Sequence, residues 1–331
     1  MKEWTAPELL RLSGSYWACC AVQAAVQLDL FTALAEGPRT EEQLAAGLGC
    51  DQRALRMLVT SLVALEFLER SGENVAAPPA VLACLSRTSP EYLGFIIRHH
   101  AHIMPAWTRL AESVRSGGPS RRKSSIHTRD DEEREAFLMG MFNVARQQAE
   151  NVARGLDLSG RSRLIDVGGG PGTYAVYFCL HNPGLTATVF DLPGSERFAR
   201  GVVERYGLAD RIEFVGGDFL RDELPKGQDV AWLSQVLHGE GPENAALLVK
   251  KAAGCLRPGG LLGIQEFVID NDRTGPAHSA LFSLNMLVGT DGGQAYTLGE
   301  IQGLLQNAGA RDIRSLALDL PPGCRVLTGT V

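Results

Sequence analysis

Leu164-Ile-Asp-Val-Gly-Gly-Gly-Pro-Gly172 decides how this 331-residue chain is read. A short buried strand runs into glycines at 168, 169, 170 and 172, and a helix opens near Thr173. Glycine suits such a turn because positive φ costs it little and no Cβ keeps a ligand from the main chain. At the carboxyl end of a first strand, the turn places a nucleoside ligand in the crevice of a doubly wound sheet. Two ligands compete for that crevice. A dinucleotide site takes G-x-G-x-x-G, with the pyrophosphate on the helix N-terminus. Here the spacing is G-x-G-x-G, and Asp166 stands two residues ahead of it. A carboxylate repels a pyrophosphate but helps to hold the ammonium of an amino-acid moiety, directly or through water. The stretch therefore favours S-adenosylmethionine over NAD, although alone it is also ordinary tight-turn chemistry.

Downstream, strands alternate with helices. Strands are expected at 163–167, 186–191, 212–215, 230–234, 261–267, 313–317 and 325–330, with helices at 173–181, 195–206, 242–256 and 298–308. That alternation implies a parallel sheet covered on both faces. The last two strands are joined only through Pro321-Pro-Gly323, too short for a crossover, so they should pair antiparallel at one edge. Upstream, residues 1–112 read as helical, with amphipathic segments at 7–34, 40–48 and 52–70 and a further helix over 92–114. Thr40 with Gln43 forms a capping box, and Asp51 can cap the third segment. With the turn Ser71-Gly-Glu-Asn74, this order describes a winged helix. A polar connector, first basic (Arg121-Arg-Lys123) and then acidic (Asp130-Asp-Glu-Glu133), leads to a linking helix over 135–156. The expected domains are thus 1–112, a connector and linking helix over 113–156, and 157–331.

Composition narrows the class. Charge is −6 (32 Lys+Arg against 38 Asp+Glu), and 45% of residues are hydrophobic, as in an ordinary globular protein. No apolar stretch approaches the ~18 residues a bilayer span needs, and the first residues lack the pattern of a secretory signal. Seven cysteines without a CxxC fit neither a disulfide framework nor a zinc knuckle, so reduced thiols in a cytoplasm are expected.

Acids follow the next two strands. Asp191 ends the second, 19 residues past Gly172, where a carboxylate can accept both ribose hydroxyls. Asp218, in Gly216-Gly-Asp-Phe219, can take an adenine amino group, with Phe219 covering the ring. A single acid after a strand is more often a helix cap; three successive strand ends with this chemistry are not a chance pattern. The chain resembles the S-adenosylmethionine-dependent O-methyltransferases with an N-terminal dimerisation domain, among them caffeate-type, hydroxyindole and bacterial polyketide enzymes. The resemblance rests on the winged-helix start, Asp166–Gly172, Phe190-Asp-Leu-Pro193, Gly217-Asp-Phe219, Val236-Leu-His238, Pro258-Gly-Gly260 and Gly292-Gly293. It implies a Rossmann-like α/β sheet of seven strands, doubly wound, behind a mainly helical winged-helix-like dimerisation domain. It also implies a homodimer and a cofactor set of Asp166, Gly168, Gly170, Gly172, Asp191, Leu192, Asp218, Phe219 and Ser234.

Methyl transfer needs an acceptor lone pair opposite the positive sulfur, and a phenol with pKa of about 10 is mostly protonated at neutral pH. His238 follows the fourth strand and matches the family's catalytic histidine; Glu266, at the end of the fifth, matches the acid that orients it. Two departures stand out. The family usually has Asp directly after the histidine, where this chain has Gly239, and it commonly has a second acid, where this chain has Ala295. The resemblance implies as acceptor a phenol- or enol-like hydroxyl of a small molecule in secondary metabolism. Carbon methylation, or a cofactor-binding relative with weak transfer, is the alternative. Met286 and Thr290 match acceptor-contacting positions, and Met141 sits where the family's linking helix touches the cofactor cleft; His99 and His102, on one helix face, are candidates for the acceptor pocket or else ordinary helix surface or interface, and no metal is expected.

A winged helix also invites DNA binding, but residues 31–80 carry four basic and seven acidic residues, a net −3. DNA affinity depends on neutralising phosphates. The apolar run Trp17-Ala-Cys-Cys-Ala-Val22 instead suits an interface between subunits. Neither nucleic acid nor membrane is expected as a partner, and an NAD-dependent oxidoreductase remains the rival use of the sheet.

Overall fold

The computed structural model describes residues 2–120 and 130–331, so the basic run of the connector lies outside the described residues. The chain divides into two compact units, one ending at His102 and the other running from Ile103 to Val331.

The first unit contains α1 (Ala6–Ser13), α2 (Tyr16–Gln27), α3 (Leu30–Ala33), β1 (Arg39–Thr40), α4 (Glu41–Leu48), α5 (Gln52–Ala64), β2 (Glu69–Ser71), β3 (Asn74–Ala76) and α6 (Pro79–Leu85). α7 (Gly94–Trp107) carries the chain across the boundary. The Thr40–Gln43 capping box forms as read, and Asp51 accepts from the Ala54 amide at 2.8 Å. β1, β3 and β2 make a small antiparallel sheet, the wing.

Three helical readings are corrected. The stretch 7–34 is broken at Gly14–Ser15 and again at Asp29, where φ is +59°. The third segment stops at Ala64, because Glu66 takes φ +63° and turns the chain into β2. The helix over 92–114 splits into α7 and α8 (Leu110–Ser116), shortly after Pro105.

In the second unit, α9 (Asp131–Gly155) begins at Asp130, whose side chain accepts from the Glu133 amide. The acids of its first turn face the positive end of the helix dipole. Then follow β4 (Arg163–Val167), α10 (Thr173–His181), β5 (Thr186–Asp191), α11 (Glu196–Arg205), β6 (Ile212–Gly216), β7 (Gln228–Ser234), α12 (Pro242–Gly254) and β8 (Leu256–Phe267). The unit closes with α13 (Ala277–Gly289), α14 (Leu298–Asn307), β9 (Arg311–Leu316) and β10 (Cys324–Thr330). The seven-stranded sheet has the order β6-β5-β4-β7-β8-β10-β9. β10 is antiparallel to both neighbours, so the closing pair lies at one edge as the short connection requires.

Side chains alternate across the sheet. Leu164 joins one core layer with Phe178 and Trp232, and Ile165 and Val167 join the other with Leu248 and Ile301. Strand order reverses beside β4, so the carboxyl ends of β4, β5 and β7 open a crevice there. α13 is the one long helix missed by the sequence reading: its run Leu281-Phe-Ser-Leu-Asn-Met-Leu287 is apolar nearly all round and shows no polar face. Among the described residues, no helix is long and apolar enough to cross a membrane.

Candidate active site

The glycine turn sits at the end of β4. Gly168, Gly170 and Gly172 all take positive φ. A Cβ on Gly168 would lie 2.7 Å from Val236 Cγ2 and 3.7 Å from Phe219 Cε1. The loops after β6 and β7 thus converge on this one residue.

Asp166 is only 1% exposed beneath the turn. Its Oδ2 accepts from the Ala175 amide at 3.3 Å, near the start of α10, while Oδ1 has no partner among the described residues. Burial pushes its pKa up to about 7; the Ala175 bond opposes this, and the charge of Asp191 adds to it. A buried carboxylate with an unmet oxygen fits a cationic ligand group and would repel a phosphate. The residues at the crevice therefore fit an aminoacyl nucleoside such as S-adenosylmethionine.

Asp191, at the end of β5, accepts from the Gly170 amide (2.8 Å), the Leu192 amide (2.7 Å) and the Ser195 hydroxyl (2.7 Å). It fastens the glycine turn to the second strand. Asp218 Oδ1 caps its own turn by accepting from the Leu220 amide at 2.9 Å. Lys251 Nζ clamps the same loop from α12, donating to the Phe219 and Asp222 carbonyls. Ser234 ends β7 with its hydroxyl buried. Leu192 packs in a small cluster with Leu138 and Phe198.

Beyond β7 the chain forms one 3-10 turn, Leu237–Gly239. His238 Nδ1 lies 2.8 Å from Glu266 Oε2, and Glu266 Oε1 also accepts from the His238 amide at 3.3 Å. The His238 side chain is 13% exposed and that of Glu266 only 1%. Phe282 of α13 meets the imidazole edge-on, with centroids 4.7 Å apart, and Phe267 stands 5.1 Å from Phe282. Both expected site residues thus come together, within an aromatic wall.

The departures also have a structural setting. A Cβ on Gly239 would meet nothing within 4 Å, so no steric demand fixes glycine there. Ala295 is buried, and its amide donates to Ser283 Oγ at 3.1 Å. Gly293, by contrast, is required: a Cβ there would fall 2.4 Å from the His238 carbonyl oxygen. The Gly292-Gly293 pair lets its loop press against the histidine turn. Thr290 takes part in that turn, donating to the Met286 carbonyl (2.8 Å) and accepting from the Gly293 amide (2.9 Å).

Met286 is half-buried on α13, and Met141 is half-buried on α9. Leu138, one helical turn before Met141, approaches the glycine turn to 3.8 Å from the Cβ position of Gly170. The sequence reading passed over Leu138, and also over Phe282, Tyr296 and Glu240. Helical spacing from Met141 would have found the first; the others depend on tertiary placement of α13 and the loops. His99 and His102 lie one turn apart on α7, in the first unit.

Comparison with known proteins gives the same architecture. Residues 107–311 match the O-methyltransferase domain family, and residues 10–81 match the O-methyltransferase dimerisation domain. The chain is 32% identical to a 3-hydroxy-5-methyl-1-naphthoate 3-O-methyltransferase of Streptomyces sahachiroi, over 98% of this chain and 95% of that protein. It is 35% identical to the tetracenomycin polyketide synthesis 8-O-methyl transferase TcmO of Streptomyces glaucescens, over 95% and 94% of the two. Human N-acetylserotonin methyltransferase, solved in complex with S-adenosylmethionine, superposes with a TM-score of 0.88 at 27% identity, covering 99% of this chain and 98% of that one.

Proposed function

The chain belongs to the S-adenosylmethionine-dependent O-methyltransferases that carry a dimerisation domain, and on that premise we propose that it methylates a phenolic or enolic hydroxyl of a planar small molecule, with His238 as base. The observation that carries this reading is the 2.8 Å contact between His238 Nδ1 and Glu266 Oε2. A carboxylate only accepts, so Nδ1 bears the proton and Nε2 keeps its lone pair. His238 takes the hydroxyl proton of the acceptor at Nε2, and buried Glu266 holds the ring and stabilises the imidazolium that results. Such a positioned base is worth about 10²–10⁴-fold in rate.

When bound, S-adenosylmethionine supplies a methyl group on a positively charged sulfur. Asp166 would hold its ammonium, Asp191 the ribose hydroxyls and Asp218 the adenine amino group, with Leu192 and Phe219 flanking the base and Ser234 beside the amino-acid end. The aromatic wall of Phe267 and Phe282 supports a flat acceptor, in keeping with the naphthoate and polyketide substrates in the names of the two Streptomyces relatives. The chain works as a homodimer in this reading. α1 buries no residue, and Leu10 and Trp17 of the first two helices are 74% and 70% exposed, an apolar surface suited to a second copy.

The test is product analysis with methyl-labelled S-adenosylmethionine and a panel of naphthols and hydroxyquinones. The expected product is an aryl methyl ether. Label bonded to carbon would replace oxygen transfer with carbon transfer, and no labelled product from any acceptor would reject the activity.

A further inference from the structure

Tyr296 follows Ala295, where the family's second acid would stand. It is 3% exposed, in the core layer shared with Leu248 and Ile301. Its hydroxyl donates to the Glu240 carbonyl oxygen at 2.6 Å. Glu240 is the first residue beyond the Leu237–Gly239 turn, so this bond grips the chain two residues after His238.

The main chain of Tyr296 is anchored elsewhere. Its carbonyl accepts from the Ile269 amide at 2.9 Å, three residues past Glu266 and just beyond β8. Ile269 also forms a parallel bridge with Thr297, which closes a capping box with Glu300 at the start of α14. Tyr296 therefore spans from the end of the strand bearing Glu266 to the turn bearing His238. Burial pushes its pKa up to about 12, the Gln294 bond opposes this, and the charges of Glu266, Glu240 and Glu300 add to it. The hydroxyl thus stays a donor throughout the neutral range.

The turn is fixed unevenly without this bond. It leaves β7 through Gln235, whose φ of +56° is a left-handed conformation that disfavours any residue with a Cβ. The Gln235 amide donates to the Gln265 carbonyl at 2.9 Å, and the amide and ring of His238 both meet Glu266. Entry and middle are in this way tied to β8. At the exit, the Gly292-Gly293 loop packs against the turn, but packing contacts set no direction. A hydrogen bond does.

We propose that Tyr296 is a positioning residue for the base: by holding the Glu240 carbonyl it fixes the exit of the histidine turn, and with it the direction in which His238 Nε2 meets the acceptor hydroxyl. Misplacing a reacting group by about 1 Å can cost about 10²-fold in rate. This hold matters more in a chain with Gly239 and Ala295 where the family's other acids would stand. Tyr296 acts through His238 and exchanges no proton itself. The proposal rests on the reading of His238 as base.

The experiment is a double-mutant cycle on the full chain, pairing Tyr296→Phe with His238→Ala. Single-turnover methyl transfer from S-adenosylmethionine to a naphthol gives the rate, and calorimetry gives the affinity for S-adenosylhomocysteine. Tyr296→Phe keeps the ring in the core and removes only the hydroxyl. Its rate at saturating acceptor should fall by roughly tenfold, the scale of one hydrogen bond. Affinity should stay within about twofold of wild type. In the His238→Ala background the same change should cost nothing further, because no imidazole remains to be directed. A residue that merely supported the fold would cost the same factor in both backgrounds. That result, a wild-type rate in Tyr296→Phe, or a rate loss matched by lost affinity would overturn the proposal. A wild-type rate in His238→Ala would instead reject the base assignment beneath it.

Discussion

The two ends of the cleft are built differently. At the end of β4 and β5 the main chain does most of the holding: three glycines with positive φ, an Asp191 carboxylate bonded to the Gly170 amide, and a loop clamped by Lys251. At the end of β7 and β8 the work rests on one side-chain pair, His238 and Glu266, walled by Phe282 and lacking acids at Gly239 and Ala295. A backbone cradle tolerates few substitutions, because each of the three glycines takes a left-handed φ and a Cβ at 168 or 172 would also crowd a neighbour. A side-chain pair set in an apolar wall places fewer backbone demands on its neighbours: a Cβ on Gly239 would meet nothing within 4 Å.

If that contrast is sound, damage at the two ends should show in different observables. Short of removing His238 itself, Glu266→Gln should have the largest effect, lowering kcat by about 10²-fold, because the imidazole loses the charge that fixes its tautomer and steadies its protonated form. Its dissociation constant for S-adenosylhomocysteine should stay within about twofold, well under the ~1.4 kcal/mol of a tenfold change; steady-state kinetics with calorimetry measures both. Gly168→Ala should do the opposite. Left-handed backbone costs an L-residue about 1–2 kcal/mol, and the added Cβ would press on Val236. Melting temperature should drop, and cofactor affinity should fall by about tenfold or more.

Asp166 gives a pH signature at the cradle end. Its folded pKa of about 7 lies above the ordinary aspartate value, so between the two the folded chain keeps a proton that the unfolded chain has lost. Stability from this group therefore falls as pH rises through that window and levels off above about 7. A cationic ammonium beside Asp166 favours the ionised form. Binding should then release a proton, and S-adenosylhomocysteine affinity should climb by up to about tenfold per pH unit below 7. Asp166→Asn should flatten that slope, and calorimetry in buffers of different ionisation enthalpy would read the proton directly. Gly239→Asp should have the smallest effect. The site is open, so melting temperature should move little, within the about ±0.5 kcal/mol usual for unforced surface changes. A large rise in kcat would show that the missing acid had been limiting.

The same contrast explains what could be read from sequence. Glycine spacing, Asp166 and Asp191 are local signals tied to strand ends, and the strand boundaries at 163–167 and 186–191 fall where expected. His238 and Glu266 lie 28 residues apart, and pairing them relied on motif resemblance; the contact itself arises because β7 and β8 are parallel neighbours. Phe282 and Ser283 were not legible, because α13 has no polar face to set its period and its role comes from packing beside the histidine turn. In the N-terminal unit, apolar periodicity continued past Ala64, but the left-handed turn at Glu66 redirected the same residues into the wing.

The most direct measurement takes one preparation of His238→Ala and determines both its single-turnover methyl-transfer rate and its affinity for S-adenosylhomocysteine. The rate should fall by about 10²–10⁴-fold while the affinity matches wild type. A rate equal to wild type, or a lost affinity in a protein that is still folded, would contradict the separation of proton chemistry from cofactor holding.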